Sequence, residues 1–321
     1  MRWRDFCMAN ESMERLSPMR FAANQYRSLS PSQLAAAAKL FSSAVIQDLA
    51  KKGRSSLFSR LIAESGMAGV VSNNAPIGTL FDSIFRLLRR ESYRHEYAYK
   101  AAITHKQLLG VHSLRTASML TEFRVASCKA DVAILNGTST VYEIKSERDK
   151  LDRLSAQIDA YRQVFARVNI ITGENHLDAI LNSIPGDVGV LLLNRQFKIT
   201  TVRDAINDPS RVNPVTIFES LHRGESIKIL QMLGFEVPEL PNTQLHAALK
   251  NLFKKLDPAE THRCMVQVLK ETRSLLPLAE LIDQLPRSLQ AAAISTPLRK
   301  QDHSRLLEAV RTTKEDALRW A

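Results

Sequence analysis

Asp131-Val132-Ala133-Ile134-Leu135, then Asn136-Gly137-Thr138, then Ser139-Thr140-Val141-Tyr142-Glu143-Ile144-Lys145: the reading of this stretch decides the fold. Two apolar, β-branched runs flank an Asn-Gly pair, and a tight hairpin turn favours that pair because its central residues need positive φ. Period-two geometry places Glu143 and Lys145 on one face of the second strand, with Tyr142 and Ile144 on the other. Two charges on the face of a central strand need partners, since an isolated pair there is costly. Asp131, twelve residues before Glu143, opens the neighbouring strand. With 136–139 as the turn, the two carboxylates come within reach of one ion.

Working outward, Leu151, Leu154, Ile158, Tyr161 and Phe165 recur at helical spacing, which predicts a helix over 151–165. Short apolar runs at 121–125, 168–172, 188–193 and 197–202 read as further strands, and 173–184 as another helix. A helical region from about 79 to 109, breaking near Glu91 and ended by Gly110, precedes the first strand. The fold class is therefore α/β, a mixed central sheet flanked by helices in the order αβββαβαβ. The first eighty residues read as helical, with Ser30-Pro31 opening and Gly53 closing a run over 32–52. Ser72-Asn73-Asn74-Ala75-Pro76 is the clearest turn cluster. After Pro214 the chain is helical again, cut by Asn213-Pro214, Asp257-Pro258 and Pro286 into five or six short helices. This divides the chain into a helical region 1–76, an α/β domain 77–205 and a helical region 206–321.

Asp131, Glu143 and the Ile144 carbonyl form an all-oxygen donor set of the kind Mg²⁺ prefers, and Mn²⁺ can substitute. Lys145, a compact ammonium on a long stem, suits an attacking water or the charge developing on a phosphate. The strand-hairpin-strand placement of Asp131, Glu143 and Lys145 resembles the motif of the PD-(D/E)XK, or restriction-endonuclease-like, nuclease superfamily. Ala130 stands where the family often has proline, which removes no ligand. Gln157 and Tyr161, four apart on the following helix, look like the Q-x-x-x-Y element of nuclease domains in bacterial recombination helicases. The resemblance covers about 93–202 and implies a restriction-endonuclease-like core that hydrolyses phosphodiester bonds with Mg²⁺. It also implies an acidic residue on the helix before the first strand. Glu96 is the candidate, with Glu91 and Glu122 as competitors; its alternative role is a surface pair with Lys100. For Gln157 and Tyr161 the alternative is one solvent-facing amide and one more residue of the apolar stripe.

The net charge is +11. Residues 86–129 carry nine Lys/Arg against Glu91, Glu96 and Glu122. That excess favours a polyanionic partner, DNA ahead of RNA, with Arg89, Arg90 and Arg148 as candidate contacts. Cys7, Cys128 and Cys264 form no CxxC pair, and no apolar run has membrane length. These features, with no leader in residues 1–5, lead us to expect a cytoplasmic protein with no membrane partner. With only 11 glycines and no Gly-rich phosphate loop, NTP-driven chemistry is not expected. The leading expectation is a DNA nuclease in phage defence, mobile-element or repair biology. The alternatives are a catalytically silent DNA-binding protein, or an adaptor whose helical extensions engage a protein partner; a homodimer fits any of the three.

Overall fold

The computed structural model describes residues 29–320. Cys7, the leader reading of residues 1–5 and the helical expectation for positions before 29 lie outside them. The chain begins with α1 (Pro31–Lys39), opened by a capping box in which Ser30 and Gln33 satisfy each other's backbone N–H groups. The run predicted over 32–52 is two helices, because Phe41 and Ser42 turn back to the carbonyls of Ala38 and Lys39 before α2 (Ser43–Lys52) starts. Leu40 and Phe41 are buried by that turn. Then come α3 (Ser56–Ser65), α4 (Ile77–Leu88) and α5 (Glu96–Ile103), the last continued by one wide turn of π-helix over Thr104–Leu108. The break near Glu91 is a short 3₁₀ turn. Arg94, 1% exposed, fixes it by donating to the carbonyls of Leu193, Asn194 and Arg89.

The hairpin forms as the Asn-Gly pair implies. β1 (Ser118–Val125), β2 (Cys128–Asn136) and β3 (Thr138–Lys145) run antiparallel in sequence. Gly137 sits at the β2–β3 apex with φ of +68°, where a side chain would be strained. The turn is tighter than 136–139, since Ser139 already pairs with Leu135. Helix α6 (Leu154–Arg162) crosses over to β4 (Arg167–Thr172), parallel to β3, and α7 (Leu177–Ser183) crosses to β5 (Gly189–Leu193), parallel to β4. Parallel neighbours need such crossovers. β6 (Ile199–Arg203) closes the sheet antiparallel, giving the order β1-β2-β3-β4-β5-β6. The expected mixed sheet with flanking helices is present.

Eight helices follow: α8 (Pro214–Ser220), α9 (Arg223–Met232), α10 (Asn242–Phe253), α11 (Pro258–Thr272), α12 (Ala279–Gln284), α13 (Arg287–Ile294), α14 (His303–Arg311) and α15 (Lys314–Leu318). This exceeds five or six because the turns at His222 and Thr313 contain neither proline nor glycine; there, polar N-cap residues restart the helix. Both sheet faces are covered. Met119, Val132, Ile134, Tyr142, Ile144 and Ile171 pack under α1–α5 and α12–α15. Phe123, Ala133, Leu135, Val141 and Ile170 pack under α6–α11. One apolar cluster thus joins the helices that precede the sheet to the last helices of the chain. Among the described residues, no helix is long and apolar enough to cross a membrane.

Candidate functional site

The β2–β3 ladder stops at Val132 opposite Tyr142. Two residues further along β3, the Ile144 amide donates to Asp131 Oδ2 at 2.7 Å instead of to a backbone carbonyl of β2. Asp131 thereby replaces the missing ladder bond and is held at the point where the strands part. Opposite it on β1, Glu122 lies between the pairs Thr121–Val132 and Phe123–Ala130 with φ of +55°. A left-handed backbone is strained for glutamate and tends to persist where the surroundings impose it. Glu96, in the first turn of α5, completes the group: carboxylate oxygens of Glu96, Glu122 and Asp131 all lie within 4.8 Å of one another.

Such a trio repels itself. Burial first, and then the nearby charges of Glu143 and Glu96, push the Asp131 carboxyl up to about 8. Two lysines offset the rest: Lys100 Nζ lies 3.1 Å from Glu96 and 3.7 Å from Glu122, and Lys129 Nζ lies 3.0 Å from Glu122. Glu96 therefore makes its i,i+4 pair with Lys100 and also belongs to the acidic trio.

Glu143 is not part of that trio. Its side chain is 3% exposed and faces a second set of partners. Lys145 Nζ donates to Glu143 Oε1 at 2.8 Å and to Gln157 Oε1 at 2.9 Å. Gln157 Nε2 donates to the same Glu143 oxygen, and the Tyr161 hydroxyl lies 2.7 Å from Glu143 Oε2 and 2.9 Å from the Lys129 carbonyl. The Glu-x-Lys face of β3 and the Gln-x-x-x-Tyr face of α6 thus meet as one buried network. Burial and the Glu143 charge drive the Tyr161 hydroxyl far above its ordinary range, so it stays a donor. Its ring also continues the apolar stripe of α6. Tyr161 does both jobs, and Gln157 is half-buried rather than solvent-facing. Glu143 and Asp131 are neighbouring like charges as expected, but Glu143 already has three donors, one of them the Lys145 cation.

The two groups share a cleft of about 800 Å³, lined by Glu96, Glu122, Asp131, Glu143, Lys145 and Gln157. Its rim carries Arg148, Lys150 and Arg153. Arg148 is where a phosphate contact was expected. Arg89 is not: it lines a different pocket, and Arg90, next along the chain, does not line the cleft. Sequence position placed both arginines close to Glu96, but the 3₁₀ break turns α4 away from α5. From Ile144 the site takes the amide, while the side chain joins the opposite core. Sequence reading also missed the support behind the site. Tyr99 donates to Glu147 at 2.9 Å, and the Arg94 guanidinium approaches the same carboxylate at 3.8 Å, tying α5 to the chain just past Lys145. Nothing in the spacing of these residues announces that contact.

An oxygen-only set of three carboxylates is the donor type a hard divalent cation takes, and binding one would require Asp131 to lose its proton. Glu96, Glu122 and Asp131 are the residues placed to hold one.

The family model of bacteriophage P4 protein cII matches residues 89–282, a span that contains the whole sheet and this cleft. Protein cII of Enterobacteria phage P4 is 35% identical over 101 residues, which are 31% of this chain and 38% of that protein. The match thus spans well under half of the curated relative. A solved protein of unknown function from Silicibacter pomeroyi aligns over 37% of this chain and 80% of its own, at 17% identity and a TM-score of 0.26. That score is too low to bear on the fold.

Proposed function

The chain belongs to the bacteriophage P4 protein cII family, and from that premise we propose that it is a Mg²⁺-dependent nuclease acting on DNA, with a restriction-endonuclease-like core. The observation that carries the reading is the meeting in one cleft of Glu96, Asp131, Glu143, Lys145 and Gln157, with Tyr161 buried behind Glu143 and bonded to it. The first three come from separate elements, and the network joins Glu143 to Lys145, Gln157 and Tyr161. What supports the reading is that the carboxylate of β2, the Glu-x-Lys face of β3, the Gln-x-x-x-Tyr face of α6 and an acidic residue of α5 are neighbours.

In this reading Glu96, Asp131 and Glu122 hold Mg²⁺, with Mn²⁺ a substitute. The ion would polarise the phosphate and activate water. Lys145, held by Glu143 and Gln157, is one of the residues lining the cleft, and there it would stabilise charge developing on a phosphate oxygen. Tyr161 fixes Glu143, and so fixes Lys145. Arg148, Lys150 and Arg153 on the rim suit a sugar-phosphate backbone. The likeness to a phage protein supports a mobile-element setting, and an intracellular site of action follows from that reading.

A second reading is a DNA-binding protein that does not cleave. It draws on one observation: Lys100 and Lys129 already sit against Glu96 and Glu122, as internal cations would in a site that needs no metal. The test is incubation of the purified chain with supercoiled plasmid, linear duplex and single-stranded DNA, in Mg²⁺, Mn²⁺ or EDTA. Cleavage in either metal, absent in EDTA and absent in Asp131→Ala, supports the nuclease. DNA binding with no cleavage in any metal supports the silent binder.

A further inference from the structure

Apart from the acidic cleft, Arg86 of α4, Arg89 just past its end, Lys106 of the π-turn, Lys198 of the β5–β6 turn and Arg287 at the start of α13 converge on one pocket of about 460 Å³. Among the described residues none of the five makes an ion pair or a side-chain hydrogen bond, and the lining holds one carboxylate, Asp82, which accepts from the Ser288 amide. Four separate elements therefore bring five cations to one cavity against a single carboxylate. The crowding is felt: burial, followed by the charges of Arg287, Arg86 and Arg94, pulls Arg89 below the ordinary guanidinium range. His105 on the same wall adds no charge, because burial and then Arg287 lower its pKa to about 4.

The pocket is built rather than merely basic. Phe197, at the tip of the β5–β6 turn, has φ of +61°, a conformation that a bulky residue adopts only under constraint. What the strain achieves is visible: the ring packs edge-on to Phe85 and lies under the Arg89 guanidinium at 4.4 Å. That stacking fixes one cation in place. The π-turn that brings Lys106 to the rim is a feature often retained at ligand sites. On the pocket wall, the buried Ser288 hydroxyl has no hydrogen-bond partner.

We propose that this pocket binds a phosphoryl group carrying two or more negative charges. Repulsion among five neighbouring cations is relieved by such an anion, and guanidinium forks match phosphate oxygens. The proposal is independent of the nuclease reading, since the pocket shares no lining residue with the acidic cleft. The phosphoryl group has two sources, a small phosphorylated molecule or the terminal phosphate of a nucleic acid.

The test is calorimetric titration of the full chain with pyrophosphate at low ionic strength, in EDTA so that no metal recruits phosphate to the other cleft. One site is expected. Replacing Arg86→Gln with Arg287→Gln, both exposed, should weaken binding by about tenfold or more, as removal of charge-assisted contacts does. Lys106→Gln with Lys198→Gln should do the same, and Lys150→Gln with Arg153→Gln on the cleft rim should not. Displacement of pyrophosphate by ADP alone assigns the site to a small molecule, and displacement by a 5′-phosphorylated oligonucleotide alone assigns it to a nucleic-acid end. No binding at millimolar pyrophosphate, equal binding by both pocket variants, or equal loss in the rim variant would overturn the proposal.

Discussion

Asp131→Asn should make the metal-free protein more stable at neutral pH, and the gain should grow with pH in a defined window. The Asp131 carboxyl titrates at about 8, above the ordinary carboxylate range near 4, because it is buried beside Glu143 and Glu96. With the folded pKa above the unfolded one, the folded chain keeps a proton that the unfolded chain has lost at every pH between about 4 and 8. The resulting stability is complete below about 4 and is lost as pH rises through 8. Asparagine has nothing to titrate, and its amide oxygen can still accept from the Ile144 N–H. At about 1.4 kcal/mol per pH unit, the wild-type penalty has a ceiling of about 5 kcal/mol at pH 8. Relaxation and water entry at a buried charge reduce such ceilings, so the expected gain is about 2–3 kcal/mol at pH 8 and near zero at pH 4. Urea denaturation of both proteins in EDTA, from pH 4 to 9, reads this directly. A difference that is flat with pH, or a variant less stable throughout, would refute the reasoning.

Further consequences separate the two halves of the cleft. Glu143→Ala should destabilise by about 3 kcal/mol or more, because Lys145, 6% exposed, would be left buried with only an amide oxygen; a melting temperature unchanged within a degree would contradict this. Lys145→Ala should lower kcat of DNA cleavage far more than it raises KM, and Lys145→Arg should not rescue it; an effect on KM alone would make Lys145 a phosphate anchor. Tyr161→Phe should cost about 1–2 kcal/mol in denaturation and slow cleavage, since Glu143 loses a donor. In Ca²⁺, log affinity for DNA should fall with log salt at a slope of roughly −4 to −7. Reversing Arg148 and Arg153 should shrink that slope more than reversing Arg89 and Arg90, which do not line the cleft.

Much of the sheet was legible because its signals are local. An Asn-Gly pair between β-branched runs, and alternation that sends Tyr142 and Ile144 one way and Glu143 and Lys145 the other, need no knowledge of distant chain. The four-residue spacing of Gln157 and Tyr161 gave a shared helix face, and the crossover from β3 did the rest. What stayed hidden depends on bends rather than patterns. Glu122, weighed in the sequence only as a competitor of Glu96, joins it beside Asp131 through its own left-handed backbone, which no hydrophobic period encodes. Arg89 and Arg90 read as neighbours of Glu96 along the chain, and a three-residue 3₁₀ turn separates them in space. The joining of α12–α15 to α1–α5 across the sheet face is long-range, and each helix taken alone shows only that it has an apolar side. Lys145 was read as free to meet phosphate, whereas burial commits it to Glu143 first.

The most direct test of the central claim is a crystal of the protein soaked in Mn²⁺ and measured at a wavelength where manganese scatters anomalously. The account predicts a peak bounded by Glu96, Glu122 and Asp131, with Lys100 and Lys129 displaced from the carboxylates they now contact, and no such peak in Asp131→Ala. An empty cleft with both lysines still in place, from protein soaked at millimolar Mn²⁺ above pH 8, would contradict it.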